Sequence, residues 1–186
     1  MSNDKLYFVT FTVTNWIDLF IRNEYKDIVL TSLQFCQQNK ELKIYGWCMM
    51  TSHLHLIISS QGKSLSDIMR DVKRHTAEAL HQSIIKHPQE SRREWLLWMM
   101  ERAGKKHNTS FQLWQSESHP IELLNSEMAH QKLTYIHCNP VTAGFVIKAE
   151  EWLYSSAIDY YGGKGLLDII QLEALVLAKR KLRVTN

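Results

Sequence analysis

Residues 42–50, Leu-Lys-Ile-Tyr-Gly-Trp-Cys-Met-Met, and residues 53–59, His-Leu-His-Leu-Ile-Ile-Ser, are two β-prone runs separated only by Thr51-Ser52. Two residues cannot make the crossover that a parallel pair needs, so these runs pair as an antiparallel hairpin. Residues 6–13, aromatic and β-branched, read as an earlier strand that ends at Thr14-Asn15. Between that strand and the hairpin, Asn23–Asn39 contains neither Gly nor Pro and places Ile28, Leu30, Leu33 and Phe35 near the helical period. After the hairpin, Ser64 reads as an N-cap with Asp67 in a capping-box-like position. It opens a helix with Ile68, Met69, Val72, Ala79 and Leu80 inside and Pro88 as its bound.

Residues 89–103 carry a further helix, apolar throughout from Trp95 to Met100, that stops near Gly104. A run apolar all round exceeds what one buried face requires. Trp95, Trp98 and Met99 therefore either pack inside the monomer or meet a second subunit, which leaves a homodimer open. Phe111–Trp114 alternates as a short strand. Ser126–Cys138 reads as a helix ended by Asn139-Pro140, because the residue before proline avoids the helical region. The order β-α-β-β-α-(α)-β-α, with one direct hairpin between crossover helices, predicts an α+β fold: a split βαβ sandwich with an antiparallel sheet and helices on one face.

At 186 residues and 45% hydrophobic, the chain can bury a core as one domain without disulfides or structural metal. Cys36, Cys48 and Cys138 are odd in number and lack CxxC spacing, which fits reduced core thiols. No apolar run approaches the roughly 20 residues that span a bilayer. Met1–Lys5 has neither the basic nor the apolar region of a signal peptide, so a cytoplasmic protein without a membrane partner is expected. Lys plus Arg exceed Asp plus Glu by 22 − 19 = +3, which permits a polyanionic partner without demanding one.

His53 and His55 stand two apart on a strand and so project from one face, where two imidazoles can share a divalent cation or a phosphate. Their other reading is as sheet histidines satisfied by hydrogen bonds. Tyr135 and Asn139, four apart, share one helix face, either as a site or as ordinary packing. Arg70, Lys73 and Arg74 fall at i, i+3 and i+4 and would form one basic stripe, which suits phosphate contact near the histidines or simply a solvated face. No Asp or third His follows His55 to complete HxHxDH or HxHxH. GxxxxGK, GxGxxG, HExxH and GxSxG are also missing, which excludes ATP-driven and serine-hydrolase chemistry.

Taken together, Trp47-Cys-Met-Met-Thr-Ser-His53-Leu-His55-Leu-Ile, Arg70-Asp-Val-Lys-Arg74, Tyr135-Ile-His-Cys-Asn139-Pro-Val-Thr-Ala-Gly144 and Trp152-Leu-Tyr-Ser-Ser156 resemble the REP-associated tyrosine transposases of the HUH nuclease superfamily, in order from about residue 6 to 160. The resemblance implies a ferredoxin-like HUH endonuclease fold. It also implies His53 and His55 as ligands of Mg²⁺ or Mn²⁺, Tyr135 as nucleophile and Asn139 as third ligand, where other branches carry Gln. The implied activity is cleavage and rejoining of single-stranded DNA beside hairpins of repetitive palindromic elements, through a 5′-phosphotyrosine, with Arg70, Lys73 and Arg74 on the DNA. On this basis residues 1–186 form one transposase domain, with 85–110 as a helical insertion and 162–186 as a basic tail. The rival function is a non-catalytic, domesticated module that recognises repeat hairpins; a zinc centre from His53, His55, Cys48 and Cys138 is a third.

Overall fold

The computed structural model describes residues 5–116 and 119–172. Strand β1 (Tyr7–Thr12) is followed by a 3₁₀ turn (Thr14–Trp16), helix α1 (Asn23–Lys40), the hairpin β2 (Leu42–Met49) and β3 (His53–Ser60), and helix α2 (Leu65–Lys86). Then come α3 (Arg93–Lys105), β4 (Ile121–Glu122), α4 (Ser126–Thr142), a 3₁₀ turn (Ala149–Glu151) and α5 (Ala157–Tyr160). The basic cluster Lys179–Arg183 lies outside the described residues.

The sheet order is β2-β3-β1-β4 with antiparallel neighbours throughout, which is the expected split βαβ topology. Two elements differ from the sequence reading. Of the run Phe111–Trp114 only Trp114 bridges to Val13, and the fourth strand is Ile121–Glu122, paired with Phe8 and Tyr7. Helix α4 also continues through Pro140 to Thr142. Pro140 is itself buried, and the amides of Ala143 and Phe145 still reach the carbonyls of Asn139 and Pro140. Packing of that last turn outweighs the reluctance of Asn139 to be helical before proline.

Strands β2 and β3 are buried almost without interruption, the mark of strands covered on both faces. On one face Tyr7, Val9, Phe11, Ile44, Trp47, Leu54, Leu56 and Ile58 join Val29 and Leu33 of α1 and Ile68, Val72 and Leu80 of α2 in the larger core. On the other, Phe8, Tyr45, Cys48 and Ile57 meet Ala129, Leu133 and Ile136 of α4. The helices therefore do not all share one face as expected: α4 forms a third layer, since a sheet with two apolar faces needs two covers. In α1 the inward residues are Tyr25, Val29, Leu30, Leu33 and Cys36, and Phe35 points to solvent.

Ser64 does start α2, but its carbonyl, not its side chain, receives the amides of Asp67 and Ile68. Helix α3 runs through Gly104, whose missing side chain is needed: a Cβ there would stand 2.6 Å from Phe111 Cα and 2.7 Å from Thr109 O. Glycine thus lets the returning chain cross α3 at backbone contact. Leu96 and Met100 enter the core, whereas Trp95 and Trp98 remain about half exposed. Cys36 and Cys48 are buried free thiols, and Cys138 is exposed rather than in the core. Among the described residues no helix is long and apolar enough to cross a membrane.

Glu90, just before α3, ties the helical layer together. Its carboxylate accepts from Arg22 Nε at 2.9 Å, Tyr25 Oη at 3.1 Å and the Arg92 amide at 3.1 Å. Burial pushes this carboxyl up, but the Arg92 amide, the Arg22 guanidinium and the Tyr25 hydroxyl outweigh it and hold the group below its ordinary range. A carboxyl with a depressed folded pKa adds stability above its unfolded value, about 4, and loses it as pH falls through the folded value. Glu90→Ala should cost about 3 kcal/mol at pH 7, because it leaves the guanidinium and hydroxyl without their buried partner. Denaturant melts of wild type and Glu90→Gln should differ less at pH 3 than at pH 7. An equal gap at both would show that the charge pairing is not what Glu90 supplies.

Candidate active site

The site is set by how α4 reaches the sheet. Between Ile44 and Gly46 the β2–β3 register slips by one residue, so Tyr45 and Gly46 both face α4. At Gly46 a Cβ would lie 2.5 Å from Leu133 Cδ1 and 3.2 Å from Ile136 Cδ1, so those side chains occupy the space a larger residue would need. Polar contacts fix the other side. His137 Nε2 lies 2.8 Å from Ser156 Oγ, which also takes the Trp47 amide at 2.9 Å. With Leu133, Ile136, His137 and Pro140 turned inward, Lys132, Tyr135 and Asn139 fall along the adjoining stripe of α4.

That stripe meets β3 at the histidines. His55 is 5% exposed, its ring 4.7 Å from His53, 5.5 Å from Phe8 and 5.4 Å from Tyr135. Tyr135 is 51% exposed, so its side chain is open to a large substrate. The structure therefore brings together His53 and His55 of β3 with Tyr135 of α4, which follows His55 by 135 − 55 = 80 residues in the chain, and sets Asn139 one turn beyond Tyr135.

Three positioning residues were not found from the sequence. Thr10, the cross-strand partner of His55, places its Oγ1 2.8 Å from His55 Nδ1. Ser52 Oγ lies 3.1 Å from His53 Nδ1. A hydroxyl that accepts from Nδ1–H fixes the ring and leaves the Nε2 lone pair for a ligand. Lys132 sets its ammonium 5.0 Å from the Phe8 ring and 5.7 Å from the Tyr135 ring. Strand alternation and the i, i+3 spacing to Tyr135 were the available signals, but neither separates these residues from ordinary surface polar groups.

The basic stripe does not assemble here. Helix α2 covers the opposite face of the sheet. Arg70 and Arg74 are exposed and pair with Asp67 at 2.7 Å and Asp71 at 3.6 Å. Lys73 turns inward, donating to Gln115 O at 3.3 Å beside the Phe11 ring, and burial lowers its pKa.

The donor set fits a divalent cation. His55 Nε2 and Asn139 Nδ2 are buried and lack hydrogen-bond partners, and the nitrogen and oxygen of an amide exchange by a simple flip. Burial, with His53 and Lys132 adding to it, pushes the His55 imidazole down to about 3; burial also lowers His53 against the pull of Asp18. Both imidazoles are thus neutral near pH 7, the form that binds metal. No group of three His, Cys, Asp or Glu residues that could hold a metal occurs among the described residues, so the zinc centre gains no support.

The model of the family described as "Transposase IS200 like" matches residues 5–101, more than half of the chain. The chain belongs to the IS200-like transposases. The matched stretch contains both histidines but ends before α4, so Tyr135 and Asn139 rest on the geometry above. Among solved structures, the chain is similar to a REP-associated tyrosine transposase bound to a REP hairpin, with TM-score 0.62 and 16% identity over 92% of this chain and 88% of that one. At that identity the likeness establishes the fold. A weaker similarity, TM-score 0.42 and 14% identity over 70% of this chain and 87% of the other, is to a transposase candidate of Deinococcus radiodurans. No curated protein matches the chain.

If Thr10 orients His55 toward a cation, Thr10→Val should weaken Mn²⁺ binding roughly 10–100-fold. Titration followed by electron paramagnetic resonance measures this directly. Equal affinity in the two proteins would remove Thr10 from the site.

Proposed function

We propose that this IS200-like transposase cuts and rejoins single-stranded DNA beside hairpins, with Tyr135 as nucleophile and His53, His55 and Asn139 as the seat of Mg²⁺ or Mn²⁺. The observation that carries this reading is the meeting of an accessible tyrosine on α4 with a buried imidazole whose Nε2 has no protein partner. Hairpin DNA as the substrate is supported by the partner named for the structurally similar transposase.

The residues divide the work as follows. Two imidazoles and an amide oxygen leave coordination positions that phosphate and water oxygens would complete for Mg²⁺ or Mn²⁺. Bound there, the cation would supply Lewis-acid polarisation of the scissile phosphate. Lys132 adds a positive charge beside Tyr135, where phosphate charge must be countered. Attack of the Tyr135 oxygen on phosphorus forms the Tyr–O–P bond and breaks the P–O3′ bond; the phenol gives up its proton and the departing O3′ takes one up, releasing a 3′-hydroxyl with no net change in protons. The 5′-phosphotyrosine conserves the phosphodiester's energy, so rejoining needs only the reverse attack by a 3′-hydroxyl and no nucleotide cofactor. Arg70 and Arg74, on the far face, would contact DNA only away from the scissile phosphate.

Incubation of the protein with a pool of hairpin-bearing single strands and Mn²⁺ should give a covalent DNA adduct by intact mass. The adduct should vanish in Tyr135→Phe and in EDTA, and fall at least 100-fold in yield in His55→Ala. Lys132→Ala should slow its formation about tenfold or more while leaving Mn²⁺ affinity within a few-fold. An adduct that survives Tyr135→Phe would refute the assigned nucleophile. DNA binding without any adduct in wild type would mark a non-catalytic repeat-binding module.

A further inference from the structure

Beside His53 the chain does something costly. Asn15 and Trp16, consecutive and neither of them glycine, both adopt left-handed backbone, φ 55° and 56°. The turn is pinned twice: the Thr14 amide reaches Leu113 O at 2.7 Å from outside it, and the Trp16 amide closes it on Val13 O at 3.0 Å. The result is a tryptophan held at 60% exposure, its ring edge-on to His53 at 5.5 Å. A large apolar side chain in a strained turn that leaves more than half of it exposed gains little from burial, so its position calls for a partner.

Trp16 forms one wall of a cavity of about 460 Å³ between this turn and α3, within the roughly 300–1,000 Å³ of small-ligand sites. Arg102 of α3, Lys106 just past its end, Gln112 and Gln115 also line it, and no acidic residue among the described ones does. Neither Arg102 nor Lys106 forms an ion pair with a carboxylate among the described residues. Gly104 lets the Phe111–Gln115 segment close the cavity against α3. Arg102 also lies over the Trp98 ring at 5.2 Å, which leaves its charge without a carboxylate partner. An aromatic face, cations not paired with carboxylates and side-chain amides are what a single-stranded nucleotide requires: stacking, phosphate neutralisation and hydrogen bonds to a base edge.

We propose that this cavity binds an unpaired nucleotide of the DNA strand adjacent to the scissile phosphate, its base stacked on Trp16 and its phosphate held by Arg102 and Lys106. The inference rests on the DNA-cleaving function above and adds a site to it. Helix α3 then serves substrate selection: it supplies the wall that fixes which flanking nucleotide is accepted, and with it where the strand is placed relative to Tyr135.

The test uses the full chain and fluorescently labelled hairpins with randomised single-stranded flanks, in EDTA so that the metal ligands do not contribute. Anisotropy should show Trp16→Ala weakening binding roughly five-fold or more, and Trp16→Phe staying within about two-fold, since an aromatic face is retained. Arg102→Ala/Lys106→Ala should flatten the slope of log affinity against log salt by about 1.4. Thermal melts check that each variant is folded, and Trp16→Phe guards against a misfolded Trp16→Ala. If wild type binds and forms the Tyr135 adduct but Trp16→Ala and the double variant bind equally well, the cavity is not a nucleotide site and the cleavage function stands. If Trp16→Phe loses as much as Trp16→Ala, stacking is overturned. If wild type does not bind the pool at all, the DNA reading fails and the cavity proposal with it.

Discussion

The seating of α4 against the second face of the sheet is the contact on which the site depends. Gly46 opens the space, Leu133 and Ile136 fill it, and the His137–Ser156 hydrogen bond closes the far end. Rotating α4 by one residue, about 100°, would turn Tyr135 away from His55. The β2 bulge is part of the same device. Without it strand alternation would place Gly46 and Tyr45 on opposite faces, and α4 would meet a large side chain where it now meets none.

The polar groups on that face hold buried hydrogen-bonding capacity in reserve. His55 and Asn139 each keep one buried atom unpaired, a cost that an ordinary core would remove. The cost is tolerated because the hydroxyl of Thr10 already fixes the other nitrogen of His55 and Phe8 stacks on its ring. The cost recurs at Asn15 and Trp16, strained rather than unpaired, a short distance along the same surface. Both departures lie at the edge of one open face; elsewhere the Glu90 carboxylate is paired with Arg22, Tyr25 and the Arg92 amide, though Trp47 Nε1 in the larger core and Arg92 Nη2 are also buried without a partner.

Much of this was legible because it is local. The hairpin followed from a two-residue connection, α1 and α2 from helical spacing, and the shared faces of His53 with His55 and of Tyr135 with Asn139 from the strand and helix periods. The basic stripe failed for an instructive reason: residues at i, i+3 and i+4 share a face in angle, but Lys73 sits at the stripe's edge, close enough to the sheet to be drawn under Phe11. The strand at Phe111–Trp114 failed because alternation shows amphipathicity and not pairing, and Ile121–Glu122 took the place beside β1.

The sequence by itself determined the element order, the antiparallel hairpin and the residue types that can do phosphoryl chemistry, since each follows from spacing within a few residues or from the short reach of a loop. Only the tertiary structure decided that α4 covers the face opposite α1 and α2, that Thr10 backs His55 and Lys132 flanks Tyr135, and that Trp16 stands open beside a basic cavity. Those relations join residues tens of positions apart. They depend on which of two apolar sheet faces each helix takes, a choice settled by volume at Gly46 and by buried hydrogen bonds rather than by any local pattern.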